Sequence, residues 1–467
     1  MSVPYAEFLA SKRFTPPDSG IHVDPDALPD ALFDFQRHIV AWTVGRGRAA
    51  LWADTGLGKT RMQVEWLRQI GERGLILAPL GVTAQTVREA ARIGVLVAYC
   101  HDQAEADKLP AGTHVITNYE RLDRFNPARY PAVVLDESSI LKAYSGTTKR
   151  ALVAAFKHTP YRLACTATPA PNDLEELCNH ADFLGIMSPA EMRSTFFIAD
   201  SRGEFMKYRI KGHAKDAFYQ WLASWAVACR TPADLGFNGD DYRLPGLTIT
   251  DHLVHTGWTA EGHLFTTALN GITERAQVRR ETHKERVETA CRIIAAEPDE
   301  QWLIWCGTNN EADLITASLA DMGAVNVQGS DDPDSKADRL LAFAEGRLRV
   351  LVTKPSIAGY GMNFQSCARM AFVGLSDSYE QYYQAIRRCY RYGQTRPVHV
   401  HIVLADVEKV IVQNVRAKEQ QARAITEGLI AAIAAENRKE LFAGTSRGDN
   451  YEPTATPTIP AFLRRPA

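Results

Sequence analysis

Residues 53–60 read Ala53-Asp54-Thr55-Gly56-Leu57-Gly58-Lys59-Thr60, between the apolar run Ala49–Ala53 and an amphipathic stretch over Thr60–Ile70. An apolar strand, a glycine turn and a helix start, in that order, form a cradle for phosphate. The loop amides and the first free N–H groups of the helix converge on one anion. Glycine at 56 and 58 lets the backbone approach without a Cβ in the way, and Thr55 completes the loop. Lys59 is placed to reach β- and γ-phosphates, and the Thr60 hydroxyl to ligate Mg²⁺. Ala53 stands where the general pattern has glycine.

Such a loop needs acidic partners, and Val133-Val134-Leu135-Asp136-Glu137-Ser138-Ser139 supplies them. A strand ending in Asp-Glu puts both carboxylates at the C-terminal edge of a sheet, where open α/β folds bind ligands. Asp136 suits Mg²⁺, and Glu137 suits the orientation and deprotonation of water, since phosphoryl transfer leaves the protein mainly positioning and charge stabilisation.

Outward from these residues, strands are predicted at 49–53, 75–78, 115–117, 133–136 and 162–166, alternating with helices at 60–70, 83–91, 147–156 and 173–183. Apolar strands separated by helices indicate a parallel sheet covered on both faces. A second such unit has strands at 302–306, 350–353, 371–373 and 398–404 and helices at 311–322, 333–344 and 379–391. The fold class is therefore α/β, with two parallel-sheet lobes in tandem. The predicted boundaries are an N-terminal extension over 1–30, lobe 1 over 31–185, a helical insertion and connector over 186–285, and lobe 2 over 286–406. A C-terminal helix over 407–442 and a disordered tail over 443–467 complete the chain.

With 467 residues there is length for more than one core, and 45% apolar with 23% charged residues is ordinary for a globular protein. A net charge of −2 excludes a global polycation, so any nucleic-acid contact must come from a local groove. The eight cysteines show no metal-ligand spacing, which points to free thiols in a reducing compartment. No stretch approaches the ~20 apolar residues of a membrane span, and the start has no signal-peptide core; the reading is cytoplasmic.

More segments recur in order: Phe33-Asp34-Phe35-Gln36, Ala78-Pro79, Ile116-Thr117-Asn118-Tyr119-Glu120, and Thr166-Ala167-Thr168-Pro169 followed by Asn172. Beyond them come Thr353, Gly359-Tyr360-Gly361-Met362-Asn363-Phe364 and Gln384-Ala385-Ile386-Arg387-Arg388-Cys389-Tyr390-Arg391-Tyr392-Gly393-Gln394. With the glycine loop and the carboxylate pair, this set resembles the Swi/Snf-type branch of superfamily-two helicases and translocases over most of residues 32–405. The resemblance implies two RecA-like lobes that hydrolyse ATP, with Mg²⁺, while gripping duplex DNA. It makes Gln36 the adenine reader, adds Gly361 and Gln384 to the nucleotide contacts, and makes Thr166 and Thr168 couple hydrolysis to movement. Pro79, Asn118, Tyr119, Thr353 and Asn363 fall where the family touches the nucleic-acid backbone. Arg388 and Arg391, three apart on one predicted helix face, match its arginine fingers, which stabilise transition-state charge.

The chain departs from the family at Asp-Glu-Ser-Ser, where Asp-Glu-Ala-His is usual; Ser139 cannot make the contacts of a histidine. It is also short for the branch, resembling a bare monomeric motor of bacterial or bacteriophage type. Two alternatives stay open: a strand-separating DNA helicase, and a degenerate, non-catalytic nucleic-acid-binding protein. Bland readings serve elsewhere. Trp302 and Trp305 suit a core, Trp221 and Trp225 helix packing, and Lys207–Lys211 either a phosphate backbone or a solvated surface. His399 and His401 receive no role.

Overall fold

A computed structural model describes residues 18–142, 146–170, 173–200, 207–256, 281–358, 362–376 and 378–443. The strands, in chain order, are β1 (Arg48–Ala53), β2 (Gly74–Ala78), β3 (Val97–Tyr99), β4 (His114–Asn118), β5 (Ala132–Asp136), β6 (Tyr161–Cys165), β7 (Phe197–Asp200) and β8 (Lys207–Ile210). They continue as β9 (Ala226–Cys229), β10 (Leu247–Val254), β11 (Trp302–Cys306), β12 (Ala324–Asn326), β13 (Val350–Thr353), β14 (Arg369–Val373) and β15 (Val398–Ala405). Two wholly parallel sheets result, ordered β3-β4-β2-β5-β6-β1-β9 and β10-β15-β14-β11-β13-β12. The expected class, two parallel-sheet α/β lobes followed by a C-terminal helix, is the observed one.

Burial explains the apolar strands. β2, β4, β5 and β11 are buried along their whole length because helices cover both faces. Trp302 and Trp305 are fully buried in the second lobe. Trp221 and Trp225 pack edge to face at 5.2 Å, so they are core rather than a stacking platform.

The segment 186–285 differs from a helical insertion. It carries the β7–β8 hairpin and gives each lobe an edge strand, β9 beside β1 and β10 beside β15. Neither edge strand was predicted, because four residues of Ala-Val-Ala-Cys and the half-exposed alternation of β10 resemble strands only once a partner is supplied. In the hairpin region, Lys211 donates to the Ser194 and Thr195 carbonyls, closing the end of the preceding helix rather than facing a polymer.

The C-terminal helix, Lys409–Ala443, has 35 residues and so runs about 52 Å. Ile411, Val412 and Val415 enter the core of lobe 2, whereas Leu429, Ile430 and Ile433 enter that of lobe 1. Deep in the second contact, Asn437 accepts from the Ala228 N–H at 3.3 Å and donates to the Ala226 and Ala223 carbonyls at 3.0 and 3.4 Å. One helix thus spans both lobes. Among the described residues, no helix is long and apolar enough to cross a membrane. The expected tail beyond residue 443 lies outside the described residues.

Candidate functional site

Three neighbouring strands of the first sheet end along one edge. β1 runs into the glycine loop, β5 ends at Asp136, and β6 gives way to Thr166–Thr168; the pairings Leu51↔Cys165 and Asp136↔Cys165 set their ends side by side. Gly56 and Gly58 have φ of 93° and 79°, so the turn depends on them. A Cβ on Gly58 would also sit 2.3 Å from Gln36 Nε2, and one on Gly56 would sit 2.9 Å from the backbone nitrogen of Tyr392 in lobe 2. Lys59 opens the next helix and folds its ammonium over the loop, donating to the Ala53 and Asp54 carbonyls at 2.8 and 3.3 Å. Thr60 follows it, partly exposed. Gln36 is buried; it accepts from the Phe33 N–H at 3.0 Å and donates to the Leu57 carbonyl at 2.9 Å, bracing the loop from behind.

The carboxylates lie beside this loop. Asp136 accepts from Gln63 Nε2 at 2.7 Å; burial raises its pKa, opposed by Gln63 and Lys59. Burial pushes Glu137 up to about 7, with Lys59 opposing and Asp136 adding to the rise. Glu137 also has φ 53°, the sole positive value at a non-glycine among the described residues. Such backbone strain costs roughly 1–3 kcal/mol and clusters at functional sites. Its Oε2 is buried without a hydrogen-bond partner. Thr168 donates its N–H to the Thr166 hydroxyl at 3.1 Å, so these two residues form one tight turn beside the pair.

Lobe 2 closes over this edge. Arg388 exerts its charge on both Asp136 and Glu137. Arg391 is pulled down to about 9 by burial and by its neighbours Arg388 and Arg387, and its Nε has no partner. An orphaned buried donor among clustered arginines fits an anion such as phosphate. The orphaned Glu137 oxygen next to Asp136 fits a water and a divalent ion. A cleft of about 520 Å³ adjoins the loop, lined by Asp54, Thr55, Leu57, Tyr242 and Tyr392 among others.

The two arginines do not share a helix face. The helix stops at Ile386, with Arg387 as its C-cap. The chain then turns so that Cys389 is buried and the Phe364 N–H donates to the Arg388 carbonyl at 2.9 Å. Arg388 folds back onto Gln384, donating to its carbonyl and its Oε1, and onto the Met362 carbonyl at 3.2 Å. Gln384 is buried in supporting it.

Two expected nucleic-acid contacts are turned inward. The Tyr119 hydroxyl donates to the Asp136 carbonyl at 2.7 Å, and Thr353 is fully buried, donating to the Val327 carbonyl at 2.9 Å. Thr353 ends β13 and Tyr119 follows directly on β4, and both side chains point into their lobes. Asn118 donates to Glu120 at 2.6 Å and is nearly buried, whereas Pro79 and Asn363 stay partly exposed. Asn172 and Gly359-Tyr360-Gly361, including the expected nucleotide contact Gly361, lie outside the described residues.

Sequence reading missed the residues that join the lobes. Ser139, in the place of the usual histidine, donates to Glu380 of lobe 2 at 2.9 Å, and Lys142 pairs with the same carboxylate. Asp54 receives Tyr383 and Arg387 from lobe 2. The only sequence signal for that pair was acid in the loop and base beside the fingers, which many solvated pairs share.

Comparison with known proteins agrees with this architecture. Residues 285–393 match the helicase conserved C-terminal domain. The structure resembles Saccharomyces cerevisiae Dbp5, solved bound to RNA and ADP BeF3, with a TM-score of 0.54, 12% identity, and coverage of 85% of this chain and 93% of that one. Over residues 285–393 the chain is helicase-like, and over most of its length it shares the two-lobed fold of Dbp5. A Sulfolobus solfataricus SWI2/SNF2 ATPase core, solved with dsDNA, covers 90% of this chain and 99% of its own, at 18% identity and a TM-score of 0.42. The Mus musculus DNA excision repair protein ERCC-6-like is 27% identical over 184 residues, which is 33% of this chain and 15% of that protein's length.

Proposed function

We propose that this chain is a nucleic-acid-stimulated ATPase that couples hydrolysis to movement along duplex DNA. The observation that carries it is the two-sided site. Lys59, Thr60, Asp136 and Glu137 come from lobe 1; from lobe 2, Arg388 acts on both carboxylates, and Arg391 lies buried beside Arg388 and Arg387 with its Nε unbonded. A polyphosphate gripped by both lobes favours the closed arrangement by its differential contacts. Loss of the terminal phosphate removes what the arginines hold, and the lobes part.

Within that site Lys59 and the loop amides bind phosphate, and Thr60 with Asp136 would hold Mg²⁺, which supplies charge neutralisation when bound. Glu137 takes the proton of the attacking water, and Arg388 and Arg391 offset charge in the transition state. Ser139, bonded to Glu380, carries a change at the carboxylate pair into lobe 2. DNA is preferred as the track from the resemblance to the Swi/Snf branch and to the excision repair relative. Contacts to a phosphate backbone carry no sequence preference, and cytoplasmic placement follows the free, mostly buried cysteines.

Steady-state ATP hydrolysis by wild type and Lys59→Ala, without polymer and with single-stranded DNA, duplex DNA or duplex RNA, tests the proposal. Severalfold stimulation by duplex DNA, lost in Lys59→Ala, is expected. Turnover indifferent to every polymer would remove the motor, and stimulation by RNA alone would change the track.

A further inference from the structure

The contact between the glycine loop and lobe 2 is a built joint. Asp54 Oδ1 accepts from the Thr55 N–H at 2.6 Å and from the Tyr383 hydroxyl at 2.8 Å, and Arg387 donates to Oδ2. Arg387 is itself held: Nε donates to the Tyr383 hydroxyl at 3.2 Å, a second nitrogen donates to the Tyr390 carbonyl at 3.3 Å, and the guanidinium lies over both rings at 5.3 and 5.6 Å. Both partners are nearly buried, with side-chain exposures of 12% for Asp54 and 11% for Arg387. Two residues on, Gly56 packs against Tyr392 so closely that a methyl group would not fit.

We infer that Asp54, Tyr383 and Arg387 form an interlobe joint that fixes the segment 387–392, Arg391 within it, against the glycine loop and neutralises the loop's own carboxylate so that it can accept a polyphosphate. This inference rests on the ATP reading above and adds to it three residues that the resemblance gives no role. Arg387 stands just before the two arginines matched to the fingers, and it faces the loop instead of a phosphate.

The physics separates two effects. A carboxylate at the start of a phosphate loop repels an incoming anion, and burial enlarges that repulsion because little water screens it. Burial disfavours the Asp54 anion; Arg387, then Tyr383 and the Thr55 amide, outweigh that and hold its carboxyl below the ordinary range. Arg387 is therefore needed for affinity only while Asp54 is charged. Alignment is the second effect. The bond fixes where the segment 387–391 sits, and a misplacement of about 1 Å costs roughly 100-fold in rate. Alignment is lost whichever partner is removed.

Removing each partner alone and both together distinguishes these effects. Steady-state kcat and KM for ATP, with saturating duplex DNA, are measured on the full chain as wild type, Asp54→Asn, Arg387→Gln and the double variant. Arg387→Gln is expected to raise KM about tenfold and to lower kcat by about 10- to 100-fold. Asp54→Asn is expected to lower kcat similarly with KM near wild type. The double variant should recover the KM of wild type while kcat stays low. Arg387→Lys, which keeps the charge and loses the fork, should keep KM and lower kcat, and it serves if Arg387→Gln does not fold. A merely structural contact would move kcat and KM together and track the thermal midpoint. Wild-type kcat in both single variants, or a KM in the double variant no better than in Arg387→Gln, overturns the joint while leaving the ATPase intact. Absence of ATP turnover in the wild type overturns the ATPase reading, and the joint falls with it.

Discussion

Replacing Asn437 by alanine probes the long C-terminal helix where it meets the first lobe. The side chain is fully buried and engages three backbone groups around edge strand β9, at 3.0, 3.3 and 3.4 Å. Each such bond contributes about 1 kcal/mol net, and a buried backbone group left without a partner costs about 1–3 kcal/mol. The longest bond is weak, so the loss is roughly 3 kcal/mol. Alanine's better helix propensity returns about 0.6 kcal/mol, which leaves roughly 2.5 kcal/mol of destabilisation. Asn437→Asp keeps the acceptor for the Ala228 amide but turns a carboxylate toward two carbonyls, and should cost more. Urea unfolding followed by tryptophan fluorescence reads both variants, since Trp225 lies buried immediately before β9. Asn437→Ala within about 0.5 kcal/mol of wild type, the range of an ordinary surface substitution, would refute the reasoning and detach the helix from lobe 1.

At the reaction centre, Glu137→Gln should lower kcat by about 100- to 10,000-fold, the range for a lost general base. Because the wild-type carboxyl is pushed up to about 7 and must be ionised to act, kcat/KM, which reports the free enzyme, should rise as pH rises through about 7; a flat profile between pH 6 and 8 would remove Glu137 as the base. His180, buried against Ser138 at 3.1 Å, has its pKa lowered by burial from 6.5 to about 4. Below pH 6.5 the unfolded chain takes up a proton that the folded one refuses, so stability is full above 6.5 and falls toward pH 4 by roughly 3 kcal/mol. His180→Gln should flatten that part of the pH–stability curve, and an unchanged slope would reject the assignment. In lobe 2 the fully buried Arg286 bonds Glu311 and Glu408. Arg286→Met should destabilise by about 3–5 kcal/mol, because it takes the cation away from two buried carboxylates; a loss under about 1 kcal/mol in thermal or urea unfolding would show that the triad is not closed in solution.

Local chemistry made much of this protein legible without coordinates. The glycine loop follows from neighbours a few residues apart, and β11 was read from five apolar residues to its observed ends, Trp302 and Cys306. The Asp136–Glu137 pair needs only a strand before it, and the long C-terminal helix only its own periodicity. These features obey short-range rules, so composition and spacing suffice.

What tertiary structure decided depends on partners far along the chain. β9 and β10 are strands because β1 and β15 offer them free edges. The helix ahead of the arginines ends at Ile386 because burial of Cys389 and the bond from Phe364 draw the chain away, which sends Arg388 back onto Gln384 and turns Arg387 toward Asp54. Tyr119, just past the end of β4, and Thr353, the last residue of β13, are spent inside their lobes for the same reason: a side chain at or just beyond a strand end takes its direction from the sheet around it. The sequence determined by itself which chemical groups are present and in what order. Which of them meet across the lobes was decided by packing, because a contact between Asp54 and Arg387, more than three hundred residues apart, leaves no local pattern.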